Sequence, residues 1–149
     1  MILLDTDHVT VLRMPPSARQ SRLVARLALV TDETVGIPVI VVEEAMRGWI
    51  AAIARERQVY RQIPAYRELT SLFGFFAEVS IAPFEAIAAS RFEALGSSGI
   101  GFRDRKIAAI ALADNALLLT ANRRHFERVP NLRFENWMDA SPPTRPTAS

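Results

Sequence analysis

The sequence predicts an α/β fold with a mainly parallel central sheet flanked by helices. Short apolar runs of strand length, at residues 2–5, 36–42, 79–83 and 117–120, alternate with longer stretches of helical character. Half of the 149 residues are hydrophobic, enough to cover a sheet on both faces. The first strand also runs straight into two carboxylates, Asp5 and Asp7, separated only by Thr6. In open parallel sheets ligands bind beyond the carboxyl ends of the strands, so acids placed there are candidates for chemistry.

Residues 2–5 read as the first strand, and Asp7 as the cap of a short helix over 8–13. Pro15 and Pro16 break the chain. GIPVIVV at 36–42 is β-branched and reads as a second buried strand. A long helix follows over 43–63, acidic in its first turn and basic later, as the helix dipole favours. Pro64 separates it from another helical stretch, 65–77. VSIAP at 79–83 is a strand, and 84–95 a helix closed by Gly96. The loop GSSGIGF precedes a helix from Asp104, and LLLT at 117–120 is a strand. Residues 121–126 form a turn or short helix, RFEN a last short strand, and Trp137 packs on the domain. One domain over 1–138 is expected, with residues 139–149, rich in Pro, Ser and Thr, as a disordered tail.

The chain has no cysteine, which excludes disulfides and thiolate metal sites and fits a reducing cytoplasm. No secretory signal and no membrane span is visible, because the apolar stretches are short or interrupted by polar residues. The net charge is only +2, yet the isoelectric point is about 9.7, and Lys106 is the sole lysine among many arginines. Arginine suits phosphates, but an arginine-rich, alanine-rich chain also follows from genomic base composition.

Three acids stand at element boundaries. Asp5 ends a strand, where a plain turn residue is the alternative. Glu44 opens a helix, where favouring the dipole is the alternative. Asp104 opens another, where capping is the alternative. Ile107, Ala108, Ala111 and Leu112 follow Asp104 at helical spacing, so its carboxylate shares the apolar face. Gly48, four residues after Glu44, costs the helix about 1 kcal/mol relative to Ala. Close helix packing or a ligand would justify it. Carboxylates held about 4 Å apart repel by about 1 kcal/mol in water and about 4 at an effective dielectric of 20, and a divalent cation relieves that cost.

Four stretches in order, LLDTDH, VIVVEEAMRG, IGFRDRKIAA and LLLTANRRHFERVPNLRFENW, resemble the motifs of PIN-domain ribonucleases, specifically toxins of the VapC type. The resemblance covers residues 2–137 and implies a Rossmann-like PIN domain that hydrolyses RNA with Mg²⁺ or Mn²⁺ as cofactor. It carries over Asp5, Glu44 and Asp104 as catalytic acids. Asp5 and Asp104 would hold the metal, with Asp7 and Asn122 as further candidates and Thr6 and Thr120 as supporting hydroxyls. Where the family often has a fourth acid after the last strand, this chain has Asn122 and His125. Arg47, Arg103, Arg105, Arg123 and Arg124 flank the acids and would fix the RNA backbone, although each could equally be a solvated surface charge. A cognate antitoxin and a homodimer are the implied protein partners, with LFGFF at 72–76 offering part of a dimer face or simply core. Two alternatives remain: a non-catalytic PIN-like binding module, and a haloacid-dehalogenase-like phosphatase, whose Asp-x-Asp motif DTDHV resembles. The latter needs a suitably placed lysine and a late acidic pair.

Overall fold

The structure is a computed structural model that describes residues 1–97 and 99–140. Five strands form one all-parallel sheet: β1 (Ile2–Leu4), β2 (Val35–Pro38), β3 (Ser80–Ala82), β4 (Leu117–Leu119) and β5 (Arg133–Glu135). Their order is β3-β2-β1-β4-β5. The chain builds outward from the central β1 to one side and returns to build on the other. The order therefore reverses between β1 and β4, where such sheets open their ligand crevice. Leu4 pairs with Leu119 there, so the residues following both strands emerge side by side.

Among the described residues seven helices cover the sheet: α1 (Thr6–Arg13), α2 (Ala18–Ala28), α3 (Val39–Arg55), α4 (Val59–Ala77), α5 (Ala86–Leu95), α6 (Phe102–Ala113) and α7 (Arg123–Phe126). The core joins Leu3, Ile37, Leu118 and Leu119 of the sheet to Leu23, Val41, Leu72, Ile107 and Phe126 of the helices. At Gly36 a Cβ would stand 2.7 Å from the Ser80 carbonyl oxygen, so β2 and β3 pair this closely only with glycine there. No described helix is long and apolar enough to cross a membrane.

Several boundaries differ from the sequence expectation. The run VIVV is not strand: β2 ends at Pro38, which lacks the N–H to extend a ladder, and Val39–Val42 wind into the first turn of α3. The helix break comes at Glu56–Gln58 rather than at Pro64. There the Gln62 amide donates to the carbonyls of Ile53 and Glu56 and closes α3 from outside. Pro64 lies inside α4, near its start and four residues after the exposed Tyr60. Helix α1 is capped by Asp5, not Asp7, and α6 starts two residues before Asp104.

Helix α2 lies in a segment for which the sequence offered no assignment. Ser17 caps it by accepting from the Gln20 N–H at 3.1 Å, and Leu23 anchors it in the core. Two of its arginines donate to main-chain carbonyls beyond β5, Arg22 to Met138 and Arg26 to Asn136. Residues 141–149, nearly all of the expected tail, lie outside the described residues.

Candidate active site

Asp5 follows β1 at the switch point and is 4% exposed. Its main-chain N–H donates to the Leu119 carbonyl, locking it beside the end of β4. One carboxylate oxygen accepts from the Thr6 N–H at 2.7 Å and thereby caps α1. The other accepts from the Thr120 hydroxyl at 2.9 Å. Burial and then the neighbouring Asp7 charge push the Asp5 carboxyl above its ordinary pKa, with a smaller push from Asp104. The hydrogen bonds from Thr6 and Thr120 offset only part of this.

Asp7 points to the same place from the first turn of α1. It accepts from the Ala121 N–H at 2.8 Å, while Thr120 Oγ1 is 3.4 Å away. Its other oxygen lies 2.6 Å from Nδ1 of His8, a completely buried imidazole. His8 Nε2 accepts from the Trp137 N–H at 3.2 Å, so Nδ1 carries the hydrogen and donates to Asp7. Burial raises the Asp7 pKa most among single causes, but the bonds from His8 and Ala121 together outweigh it, and the net shift is downward. Two acids two residues apart thus sit in opposite states: Asp5 is short of compensation and Asp7 is well supplied.

Asp104 reaches the site from α6 and is itself buried; the helix is buried continuously from Ile107 to Ala111, Ala109 and Ile110 included, so no single apolar face stands out on it. Its carboxylate is 2.6 Å from His125 Nδ1 and 3.2 Å from an Arg103 nitrogen. Because the carboxylate only accepts, His125 Nδ1 is the donor; the Asn122 amide, 2.7 Å from the same nitrogen, is best turned with its oxygen inward. Glu44 accepts from the Thr6 hydroxyl at 2.5 Å with one oxygen and pairs with Arg103 through the other. Arg103 therefore spans Glu44 and Asp104.

The structure thus gathers Asp5, Asp7, Asp104, Glu44, Thr6 and Thr120 into one connected set, and brings Asn122 and His125 to its rim. Among the described residues no three acidic or imidazole groups already form a cation cage. The donors are nevertheless all hard oxygens of the kind Mg²⁺ and Mn²⁺ take, with Asp5 lacking a cationic partner among its contacts and a guanidinium standing between two others. That donor set fits a divalent cation entering in exchange for Arg103.

The remaining arginines separate. Arg47 is exposed and pairs with Glu43 at 2.9 Å, and Arg123 lies at a loose 3.9 Å from Glu127. Arg124 lies on α7, an exposed position. Arg105 turns away: its guanidinium lies 3.8 Å from the Phe92 ring centroid and donates to the Gly96 carbonyl. Lys106 sits 4.9 Å from the Phe102 ring. Gly48 is not a packing glycine, since a Cβ there meets nothing within 4 Å. It floors a groove of about 470 Å³ between α1, α3 and α4, which Thr6, Glu44, Trp49 and Leu72 also line. Sequence reasoning missed His8; a histidine adjacent to an acidic motif was the available signal, but its burial was not readable.

A model of the PIN domain family matches residues 2–132. Ribonuclease VapC2 of Rickettsia felis is 53% identical over 38 residues, a match spanning 26% of this chain and 28% of that relative's length. The fold is similar to the crystal structure of VapBC2 from Rickettsia felis bound to a promoter DNA fragment, with a TM-score of 0.67 and 28% identity over 92% of this chain and 99% of that one. It is also similar to VapBC-1 from nontypeable Haemophilus influenzae, with a TM-score of 0.69 and 22% identity over 93% and 100% of the two chains. FitAcB from Neisseria gonorrhoeae has a TM-score of 0.67 and 24% identity over 91% and 97%.

Proposed function

The chain belongs to the PIN-domain family, and on that premise we propose that it is a metal-dependent endoribonuclease, the toxin of a type II toxin–antitoxin pair. The observation that carries this reading is the buried carboxylate pair at the switch point, Asp5 from β1 and Asp104 from α6. A fold does not keep an undercompensated acid such as Asp5 beside Asp7 and Asp104 for stability. Likeness to a ribonuclease and to proteins solved as VapBC assemblies supports the substrate and the antitoxin partner.

Asp5 and Asp104 would hold Mg²⁺ or Mn²⁺, with Asp7 and Asn122 at the rim. When bound, the cation would neutralise charge on the phosphoryl oxygens and acidify a water for attack. The chain's own residues do the rest. Thr120 and Thr6 fix the Asp5 and Glu44 carboxylates by hydrogen bonds. Glu44, released from Arg103, is free to accept a proton from an attacking water. Arg103, Arg47, Arg123 and Arg124 would hold phosphates, the first three in exchange for their carboxylate partners. Arg105, folded against Phe92, holds the loop before α6 instead. A homodimer is supported by Val59, Ile63, Tyr66 and Phe73, exposed apolar residues at helical spacing along one face of α4; Leu72 and Phe76 of the same stretch are core.

Incubation of a single-stranded RNA with the purified chain and Mg²⁺ or Mn²⁺ tests the reading. Cleavage is expected, abolished by chelator and by Asp5→Asn. The specific observation favouring a non-catalytic module is Arg103 between Glu44 and Asp104. Absence of cleavage with either metal, at any pH from 6 to 9, would select it.

A further inference from the structure

We infer that the cavity between α3 and α6 is a nucleobase pocket, in which one unpaired base of the RNA stacks on Phe102 while Arg47 and Lys106 hold the adjoining phosphate. The inference rests on the nuclease reading and adds a substrate-binding site to it. The cavity measures about 290 Å³ and is lined by Ile40, Glu43, Glu44, Arg47, Phe102, Arg103 and Lys106, with Arg47 paired to Glu43 and Arg103 to Glu44. That is the small end of ligand pockets, about 300–1,000 Å³, with room for one base and not for a duplex.

Phe102 opens α6 and is 65% exposed, although it is among the largest apolar side chains of the molecule. An exposed ring at a helix start would ordinarily sample several rotamers. This one is held: Phe92 packs edge-on at 5.0 Å and 73°, and the Arg105 guanidinium lies 5.2 Å from its centroid. The Arg105 Nε is buried with no hydrogen-bond partner while a terminal nitrogen donates to the Gly96 carbonyl, so ring packing together with that bond holds the guanidinium in place. A ring packed by Phe92 and Arg105, with the Lys106 ammonium 4.9 Å from its centroid and most of its surface still exposed, offers stacking with little of the entropy cost of ordering it on binding.

The charges around it fit a nucleotide better than a protein side chain. The chain's one lysine sits 4.9 Å from the ring, and with Arg47 and Arg103 it outnumbers the two carboxylates in the wall, Glu43 and Glu44. Protein interfaces deplete charged residues at their centres, whereas single-strand nucleic-acid sites pair cations with aromatic platforms. The pocket also shares Glu44 and Arg103 with the acidic site, so a strand whose base enters here runs its next phosphate toward Asp104. Unpaired, splayed bases are what such a site selects.

The test uses the full chain, a fluorescein-labelled single-stranded oligoribonucleotide, and the same oligomer with one abasic residue. Affinity is measured by anisotropy in chelator, and cleavage in Mn²⁺ under single-turnover conditions. Phe102→Ala is expected to weaken RNA binding by about fivefold or more, and Phe102→Trp to restore it. An abasic residue at the sensitive position should weaken the parent protein by a similar factor and leave Phe102→Ala no weaker than before. Equal affinity of parent and Phe102→Ala, or an abasic effect that persists undiminished in Phe102→Ala, overturns the inference. So does a Phe102→Ala variant that keeps RNA affinity but falls from dimer to monomer in sedimentation, which would assign the ring to an interface between copies. Failure of the parent protein to cleave RNA would refute the nuclease reading alone, because the anisotropy comparison judges the pocket independently.

Discussion

Asp5→Asn should abolish RNA cleavage and at the same time stabilise the metal-free protein. The substitution is nearly isosteric, and each hydrogen bond has a replacement. Asn caps helices about as well as Asp, so the bond from Thr6 N–H survives. The Asn amide can donate to the Thr120 hydroxyl, which is then free to donate to Asp7, 3.4 Å away. What disappears is repulsion. Thr120 Oγ1 lies 2.9 Å from an Asp5 oxygen and 3.4 Å from an Asp7 oxygen, so those oxygens are at most roughly 6 Å apart. Two unit charges at that separation repel by about 3 kcal/mol at an effective dielectric of 20. The α1 dipole loses a favourable charge worth about 0.3–1 kcal/mol, and the hydrogen bonds to Asp7 soften the repulsion further. A net gain of about 1–2 kcal/mol remains, or a Tm rise of about 3–6 °C for a chain of this size.

The pH dependence has a definite sign. The Asp5 pKa is raised in the folded state, so between its ordinary and raised values the folded protein binds a proton that the unfolded chain does not. Parental stability therefore climbs as pH falls through that window and carries the full penalty above it. The Tm advantage of Asp5→Asn should be largest near neutral pH and close on acidification. The lowered pKa of Asp7 is common to both proteins and cancels to first order. Differential scanning calorimetry in chelator from pH 4 to 8, beside a cleavage assay, measures both effects. A clear fall in Tm would show Asp5 to be a structural cap, and retained cleavage would remove it from the chemistry.

His8→Leu should cost about 2–4 kcal/mol in urea unfolding, because it strands the Trp137 N–H and one Asp7 oxygen, and the Asp7 pKa should rise as its strongest lowering partner is lost. Asn122→Asp should strengthen Mn²⁺ and Mg²⁺ binding in calorimetry, and His125→Glu should do so while lowering metal-free stability, since it replaces a donor to Asp104 by a second carboxylate. If neither variant changes metal affinity, the end of β4 contributes nothing to the ligand set. Arg103→Met should raise Mg²⁺ affinity severalfold by calorimetry, because the guanidinium no longer competes for Glu44 and Asp104; unchanged affinity would mean the cation binds clear of it.

What the sequence made legible was decided by periodicity and by order. The alternation of elements sufficed for the parallel sheet, whereas the helical spacing after Asp104 understated how fully α6 is buried, since Ala109 and Ile110 are enclosed as well. Local signals failed where tertiary context overrode them. VIVV has strand propensity, yet Ile40 and Val41 satisfy burial equally well from a helix, and a short β-branched run does not distinguish the two. Pro64 reads as a breaker, but near a helix start its missing N–H removes one bond, whereas the cap from Gln62 that ends α3 is invisible without the fold. Helix α2 went unassigned because its arginines look like solvent residues; two of them, Arg22 and Arg26, donate to carbonyls more than a hundred positions away. The connection from Trp137 through His8 to Asp7 was illegible for the same reason.

That connection also bears on the acid that this chain lacks after its last core strand. Asn122 and His125 bring no negative charge there, but Asp7 does, arriving from α1 and accepting from the Ala121 N–H just beyond β4. Its charge is secured in two ways: a buried imidazole donates to one oxygen, and two groups at the end of β4 face the other. A carboxylate held this firmly below its ordinary pKa stays ionised where Asp5, pushed upward, first takes up a proton. The switch point thus carries Asp5, Asp7, Glu44 and Asp104 against the single guanidinium of Arg103, whose two contacts are with the half-exposed Glu44 and with Asp104. Arg103 leaves the buried Asp5 without a cation of its own. A divalent ion has twice the charge and none of the side-chain length of that arginine, so it can approach Asp5 and Asp104 together where the guanidinium reaches only one of them. On electrostatic grounds the missing fourth acid therefore changes where the negative charge comes from, α1 in place of the end of β4, more than it changes how much of it there is.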